Sequence, residues 1–220
     1  MGKNIAVDGP AGAGKSTIAK KVAKNLGLIY VDTGAMYRAI GLYMLRNNID
    51  VSDEEAVNQA CDQISVSIQY VNGEQQVLLN GENVNGFIRK EEVGNMASKT
   101  SSYPKVRAML LDAQKELAQK QNVIMDGRDI GTCVLPDAEL KIYLTASVQT
   151  RAKRRFDELV EKGVECDITE IEKDIEQRDY QDMNRTIAPL KQAQDAVLVD
   201  SSNLTIEQVC ETIINLYEER

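Results

Sequence analysis

One run of nine residues constrains this chain more than any other feature: Gly9-Pro10-Ala11-Gly12-Ala13-Gly14-Lys15-Ser16-Thr17, which fits GxxxxGK[ST] from Gly9 to Ser16. It follows an apolar stretch at 4–8 and leads into a helical pattern at 15–25. A strand, a glycine-rich turn and a helix in that order make an anion cradle. Glycines let backbone N–H groups turn inward without a Cβ in the way, and the helix N-terminus faces the same anion. In such a cradle Lys15, expected to stand exposed in the loop, reaches the β- and γ-phosphates, and the Ser16 hydroxyl sits on Mg²⁺. Gly9 to Thr17 therefore reads as a nucleoside triphosphate site, which does not yet name a reaction.

The rest of the chain fits that beginning. Apolar runs at 28–32, 123–126, 140–145 and 196–200 read as buried strands. Helical periodicity appears at 106–119, 148–161, 168–184 and 206–217, the last opened by Thr205 with Gln208 three residues on, a capping box. Strands alternating with helices predict an α/β fold with a parallel sheet. One stretch breaks the rhythm: 64–71 alternates apolar and polar residues, Asn72-Gly73 makes a turn, and 76–79 returns as a second strand. This antiparallel hairpin reads as an insertion within about 60–85, flanked by helices. With 220 residues and no linker, repeat or low-complexity stretch, one generous domain is expected.

Composition narrows the function. The balance of 26 Lys+Arg against 34 Asp+Glu gives −8, which argues against nucleic acid held by bulk positive charge but not against a small phosphorylated ligand. The chain has no histidine, so His triads, His metal sites and His general bases are excluded. Four cysteines at 61, 133, 166 and 210 form no CxxC pair, unlike a zinc site or a disulfide framework. With no apolar run of membrane-spanning length and no secretory h-region, a cytoplasmic protein with no membrane partner is expected, and a monomer by default.

Three further segments bear on what receives the phosphate. Asp32-Thr33-Gly34-Ala35-Met36-Tyr37-Arg38 closes the second strand and opens a helix; alone, it reads as Thr33 capping the helix and Arg38 on its solvated surface. Met125-Asp126-Gly127-Arg128-Asp129-Ile130-Gly131 lies at the carboxyl end of the third strand, where ligands of open α/β sheets bind, and Asp126 resembles a carboxylate that holds Mg²⁺ through water. Arg151, Arg154 and Arg155 share one helical face, as do Arg178, Asp182 and Arg185. Such stripes are either surface ion-pair networks or arginines clustered to neutralise phosphate oxygens. A hydroxyl acceptor usually needs a carboxylate base, whereas a phosphate monoester, with a second pKa near about 6, is already ionised at neutral pH.

DGPAGAGKST at 8–17, DTGAMYR at 32–38, the hairpin, DGRDIGT at 126–132 and RDYQDMNRTIAPL at 178–190 together resemble the bacterial (d)CMP kinases, or cytidylate kinases, essentially end to end. The resemblance implies a P-loop nucleoside monophosphate kinase fold. Its core of about 1–38 and 103–220 has a five-stranded parallel sheet, with an NMP-binding insertion at about 39–102 and a short lid at about 151–166. It implies ATP and Mg²⁺ as donor and cofactor, and CMP and dCMP as acceptors. By motif matching, Thr33, Arg38, Arg128 and Arg185 contact the acceptor and its phosphate, Arg178 and Asp182 lie near the pentose, and Ser98, Arg107 and Asp129 read the cytosine. Lys15, Arg128, Arg154, Arg155 and Arg185 are the expected catalytic cations. Two rivals remain: a kinase with a hydroxyl acceptor, in which the Arg178/Arg185 stripe is superfluous, and a GTPase-like switch, for which no guanine-reading NKxD segment is found.

Overall fold

The computed structural model describes residues 3–220. Its strands and helices run β1 (Ile5–Asp8), α1 (Lys15–Leu26), β2 (Ile29–Asp32), α2 (Thr33–Arg46), α3 (Glu54–Cys61), β3 (Val66–Val71), β4 (Glu74–Leu79), β5 (Glu82–Asn83), α4 (Glu91–Thr100), α5 (Pro104–Lys120), β6 (Val123–Gly127), β7 (Leu140–Thr145), α6 (Val148–Glu161), α7 (Ile168–Asn184), β8 (Val197–Asp200) and α8 (Ile206–Glu218), with a π-helical turn at Ile130–Val134 between β6 and β7. Two compact units form, one containing the chain up to Tyr30 with Gln121–Arg220, the other Val31–Lys120.

The first unit is built on the expected parallel sheet, in the order β2-β6-β1-β7-β8. β1 is central and pairs in parallel with β6 and β7, which explains why its residues are wholly buried. Ile5, Val7, Ile124, Leu140, Ile142 and Leu144 pack with Ile18 and Val22 of α1 and Ile213 of α8. The register sets Val7 beside Asp126 and Asp8 beside Gly127, so two functional segments leave the sheet at adjacent carboxyl ends. At α8, Thr205 Oγ1 accepts from Gln208 N–H while Gln208 Oε1 accepts from Thr205 N–H, the capping box read from sequence.

The second unit contains the hairpin. β3 and β4 pair antiparallel, with Val71 opposite Glu74 across Asn72 and Gly73, both at positive φ (54° and 79°) as a type I′ turn requires. A third strand, β5, extends this sheet through a second such turn at Asn80-Gly81 (50° and 85°). That strand is not marked out in the sequence reading, whereas α3 and α4 are the helices expected to flank the hairpin, given there without bounds. Met36, Ile40 and Met44 of α2 form this unit's core with Val77, Leu79, Ile88 and Leu110.

Candidate active site

The phosphate loop begins where β1 ends. Only glycine fits at position 9, since a Cβ there would lie 1.9 Å from the Leu144 carbonyl oxygen. Gly14, at φ 88°, turns the chain into α1 through the left-handed region. Lys15 is the first residue of α1 and is 6% exposed, which corrects the expectation of an exposed loop lysine. Its Nζ donates to the Gly9 and Pro10 carbonyls, each at 2.7 Å. Burial pushes its pKa down to about 7, helped by the nearby Arg128 charge and opposed by Asp126, Asp182 and Asp8.

Asp126, at the end of β6, accepts from Ser16 Oγ at 2.7 Å on one oxygen and from the Tyr30 hydroxyl at 3.0 Å on the other. The P-loop serine and the strand-end carboxylate thus converge. This is an oxygen donor set of the kind Mg²⁺ takes together with phosphates and water. Asp8 accepts the Ile130 N–H at 2.8 Å and the Gly131 N–H at 2.7 Å, tying the P-loop strand to the π-helical turn that Asp129 opens. Burial raises its carboxyl to about 6 despite those bonds.

Arg128, Asp129, Asp182 and Arg185 come together. Arg128 Nε donates to Asp182 Oδ2 at 2.7 Å, and Arg185, capping α7, lies 3.9 Å from Asp182 Oδ1 and 3.5 Å from Asp129 Oδ1. Burial works against both partners of the Arg128–Asp182 pair. The Asp182 charge nevertheless raises the Arg128 pKa, and Arg128 then Arg185 hold Asp182 below the ordinary carboxylate range. Arg178 lies half-buried one turn earlier on α7.

The stripe on α6 divides. Arg151 is 4% exposed and donates to the Ala146 carbonyl, to the P-loop carbonyl of Ala11 (2.9 Å each) and to Asp179 Oδ2 (2.6 Å). Arg154 donates to the Ser201 carbonyl at 2.7 Å, and its guanidinium is 3.9 Å from where a Gly14 Cβ would stand. Arg155 turns away and pairs with Glu158 at 3.0 Å. The sequence alone assigns no role to Asp179, Asp8 or Tyr30. Asp179 carries a usable signal, standing three residues before Asp182 and hence on the same helical face. Its Oδ1 is buried without a hydrogen-bond partner among the described residues.

In the second unit, Thr33 is buried as the first residue of α2, but the cap is Asp32, whose Oδ1 accepts the Ala35 N–H at 2.9 Å. Arg38 follows on α2, half-buried. Ser98 lies on α4, where its carbonyl accepts from Ser101 Oγ. Arg107, on α5, stacks over the Tyr37 ring at 5.5 Å and donates to the Ser101 carbonyl at 3.2 Å. Among the described residues no group of three or more His, Cys, Asp or Glu could hold a metal, and no helix is long and apolar enough to cross a membrane.

A model of the cytidylate kinase family matches residues 5–219. The chain is 54% identical over 214 residues to the cytidylate kinase of Caldicellulosiruptor saccharolyticus, covering 97% of this chain and 95% of that protein. It is 52% identical over 212 residues to that of Alkaliphilus oremlandii, covering 96% of each. In fold it is similar to an uncharacterized protein from Eubacterium ventriosum, with a TM-score of 0.55 over 100% of both chains at 12% identity.

Proposed function

Because the chain belongs to the cytidylate kinase family, we infer that it transfers the γ-phosphoryl group of ATP to CMP and dCMP, giving CDP and dCDP by direct in-line displacement. The observation that carries this reading is the convergence, in one unit, of a P-loop lysine, a Ser16–Asp126 pair and the Arg128–Asp182–Arg185 cluster. Such a set neutralises phosphate oxygens, and its carboxylates are engaged by Ser16, Arg128 and Arg185 rather than standing ready as a general base. None is needed, because an acceptor phosphate is already ionised at neutral pH. The transition state spreads charge over the transferring oxygens, and fixed cations stabilise it without reorganising.

In this assignment Gly9, Pro10, Ala11, Gly12, Ala13 and Gly14 cradle the ATP phosphates with Lys15, Ser16 and Thr17. Lys15 exchanges its two loop carbonyls for phosphate oxygens. Ser16, with Asp126 acting through water, would hold Mg²⁺, which when bound neutralises oxygens of the β- and γ-phosphates. Arg128 and Arg185 bind the acceptor phosphate and the transferring group, with Thr33 and Arg38 on the acceptor. Arg154 adds charge from a lid at about 151–166, and Arg155 does so once it leaves Glu158. Arg178 and Asp182 serve the pentose.

Ser98, Arg107 and Asp129 read the base. Cytosine offers an N4 amino donor beside N3 and O2 acceptors, matching a carboxylate and a guanidinium. Uracil turns an O4 acceptor toward the carboxylate, a mismatch costing about 1–3 kcal/mol. The enzyme is read as a cytoplasmic monomer; its dispersed cysteines, unpaired in the structure, suit a reducing compartment.

The test is coupled ADP release with CMP, dCMP, UMP, AMP and shikimate as acceptors, for the wild type and Lys15→Ala. Turnover with CMP and dCMP that disappears in Lys15→Ala is expected. Faster turnover with shikimate or AMP would overturn the assignment.

A further inference from the structure

The three-stranded sheet takes no part in the phosphate chemistry, yet it is bonded to the residue that opens the acceptor motif. Asp32 is 4% exposed, the last residue of β2 and the cap of α2. Its backbone N–H donates to Gln75 Oε1 at 2.8 Å, and Gln75 Nε2 donates back to the Asp32 carbonyl at 3.1 Å. A carboxamide carries the same donor and acceptor as a peptide group. Gln75 therefore satisfies both backbone groups of Asp32, as a one-residue strand would.

The Asp32 side chain is held as well. Arg89, in the segment after β5, donates to its Oδ2 at 2.6 Å, while Oδ1 caps α2. Asn85 steadies the other side of the clamp, donating to the Gln75 carbonyl at 2.8 Å and accepting the Val77 N–H at 2.9 Å. Thr33 follows Asp32 directly, and Arg38 lies on the same helix. Backbone and carboxylate of Asp32 are thus both fastened to the small sheet and the segment behind it.

We propose that Gln75 and Arg89 are positioning residues for the acceptor nucleotide, fixing Asp32 so that Thr33 and Arg38 are ordered before a nucleoside monophosphate arrives. This rests on the assignment of Thr33 and Arg38 to the acceptor. A preordered helix start spares the nucleotide the cost of ordering it on binding. ATP is held by the P-loop and gains nothing from the clamp. Losing the clamp therefore weakens one substrate selectively, whereas general loosening of the fold weakens both.

The experiment measures the Kd for CMP and, separately, for ATP by titration calorimetry on the full chain, with kcat at saturating substrates. Four variants are compared: Gln75→Leu, Arg89→Gln, Arg38→Ala and the control Gln69→Leu, which removes only the Gln69–Gln76 side-chain bond of the same sheet. Gln75→Leu should raise the CMP Kd about tenfold, and Arg89→Gln about fivefold. The ATP Kd and kcat should stay within about threefold, and Gln69→Leu should match the wild type. Arg89 is half-exposed, so its variant tests the clamp even if Gln75→Leu fails to fold. An unchanged CMP Kd in Gln75→Leu and Arg89→Gln, or parallel weakening of CMP and ATP, overturns the proposal if Arg38→Ala still loses CMP. If Arg38→Ala binds CMP normally, the acceptor assignment itself has failed, and the proposal falls with it.

Discussion

ATP binding should draw a proton from solution, and Lys15 should be its destination. Burial and the Arg128 charge bring the Lys15 pKa to about 7, so at pH 8 roughly nine-tenths of the side chains are neutral. A triphosphate in the loop supplies several negative charges at contact distance and restores the ammonium. Uptake should approach about 0.9 proton per ATP at pH 8 and fall to about 0.1 at pH 6, where Lys15 is already charged. The phosphates of ATP contribute little at pH 8, being almost fully ionised. The same linkage weakens apparent ATP affinity about fivefold from pH 7 to 8. Calorimetric titrations in buffers of different ionisation heat, with Mg²⁺ and without acceptor, measure the uptake. Lys15→Arg cannot titrate and should show none. Equal uptake in wild type and Lys15→Arg, or no rise between pH 6 and 8, would refute the reasoning.

Asp129→Ala should lower kcat/KM for CMP by about 1–3 kcal/mol, roughly ten- to a hundredfold, and narrow the CMP/UMP preference, whereas Arg128→Ala should damage both acceptors alike. Parallel kinetics that leave the CMP/UMP ratio of Asp129→Ala unchanged would show that this residue only orients Arg185. On α6, Arg154→Met and Arg155→Met should depress kcat more than they raise the KM for CMP, because lid closure adds charge chiefly in the transition state. Small equal effects at Arg155 would leave it the surface partner of Glu158. Arg151→Met strands the buried Asp179 and should cost about 3–5 kcal/mol in urea unfolding. Asp8 has a folded pKa raised from 3.8 to about 6, so the native state keeps a proton that the unfolded chain has lost between those values. Stability from this group therefore falls by about 2 kcal/mol as pH rises from 4 to 6, and by about 3 kcal/mol in all between acid and pH well above 6. Unfolding of wild type against Asp8→Asn at pH 4.5 and 7.5 tests this, and a pH-independent difference would contradict it.

Much of this protein was readable from residues close together in the chain, because the physics there is local. The P-loop follows from glycines that must turn the backbone, and the β3–β4 hairpin from Asn72-Gly73. The cap on α8 follows from Thr205 and Gln208. The third strand was equally local, since Asn80-Gly81 carries the same turn signal, but β5 is only two residues long and shows no alternation. Sequence likewise showed which face of α6 holds arginines. It did not show which of them turns inward, since Arg151 and Arg154 are drawn in by carbonyls of the P-loop, of Ala146 and of Ser201. Burial of Lys15, the hold of Tyr30 on Asp126 and the clamp of Gln75 on Asp32 join residues 5 to 96 positions apart. Helical or strand periodicity reports the face a residue presents, and only the tertiary fold decides which donor meets it there and whether water is excluded between them.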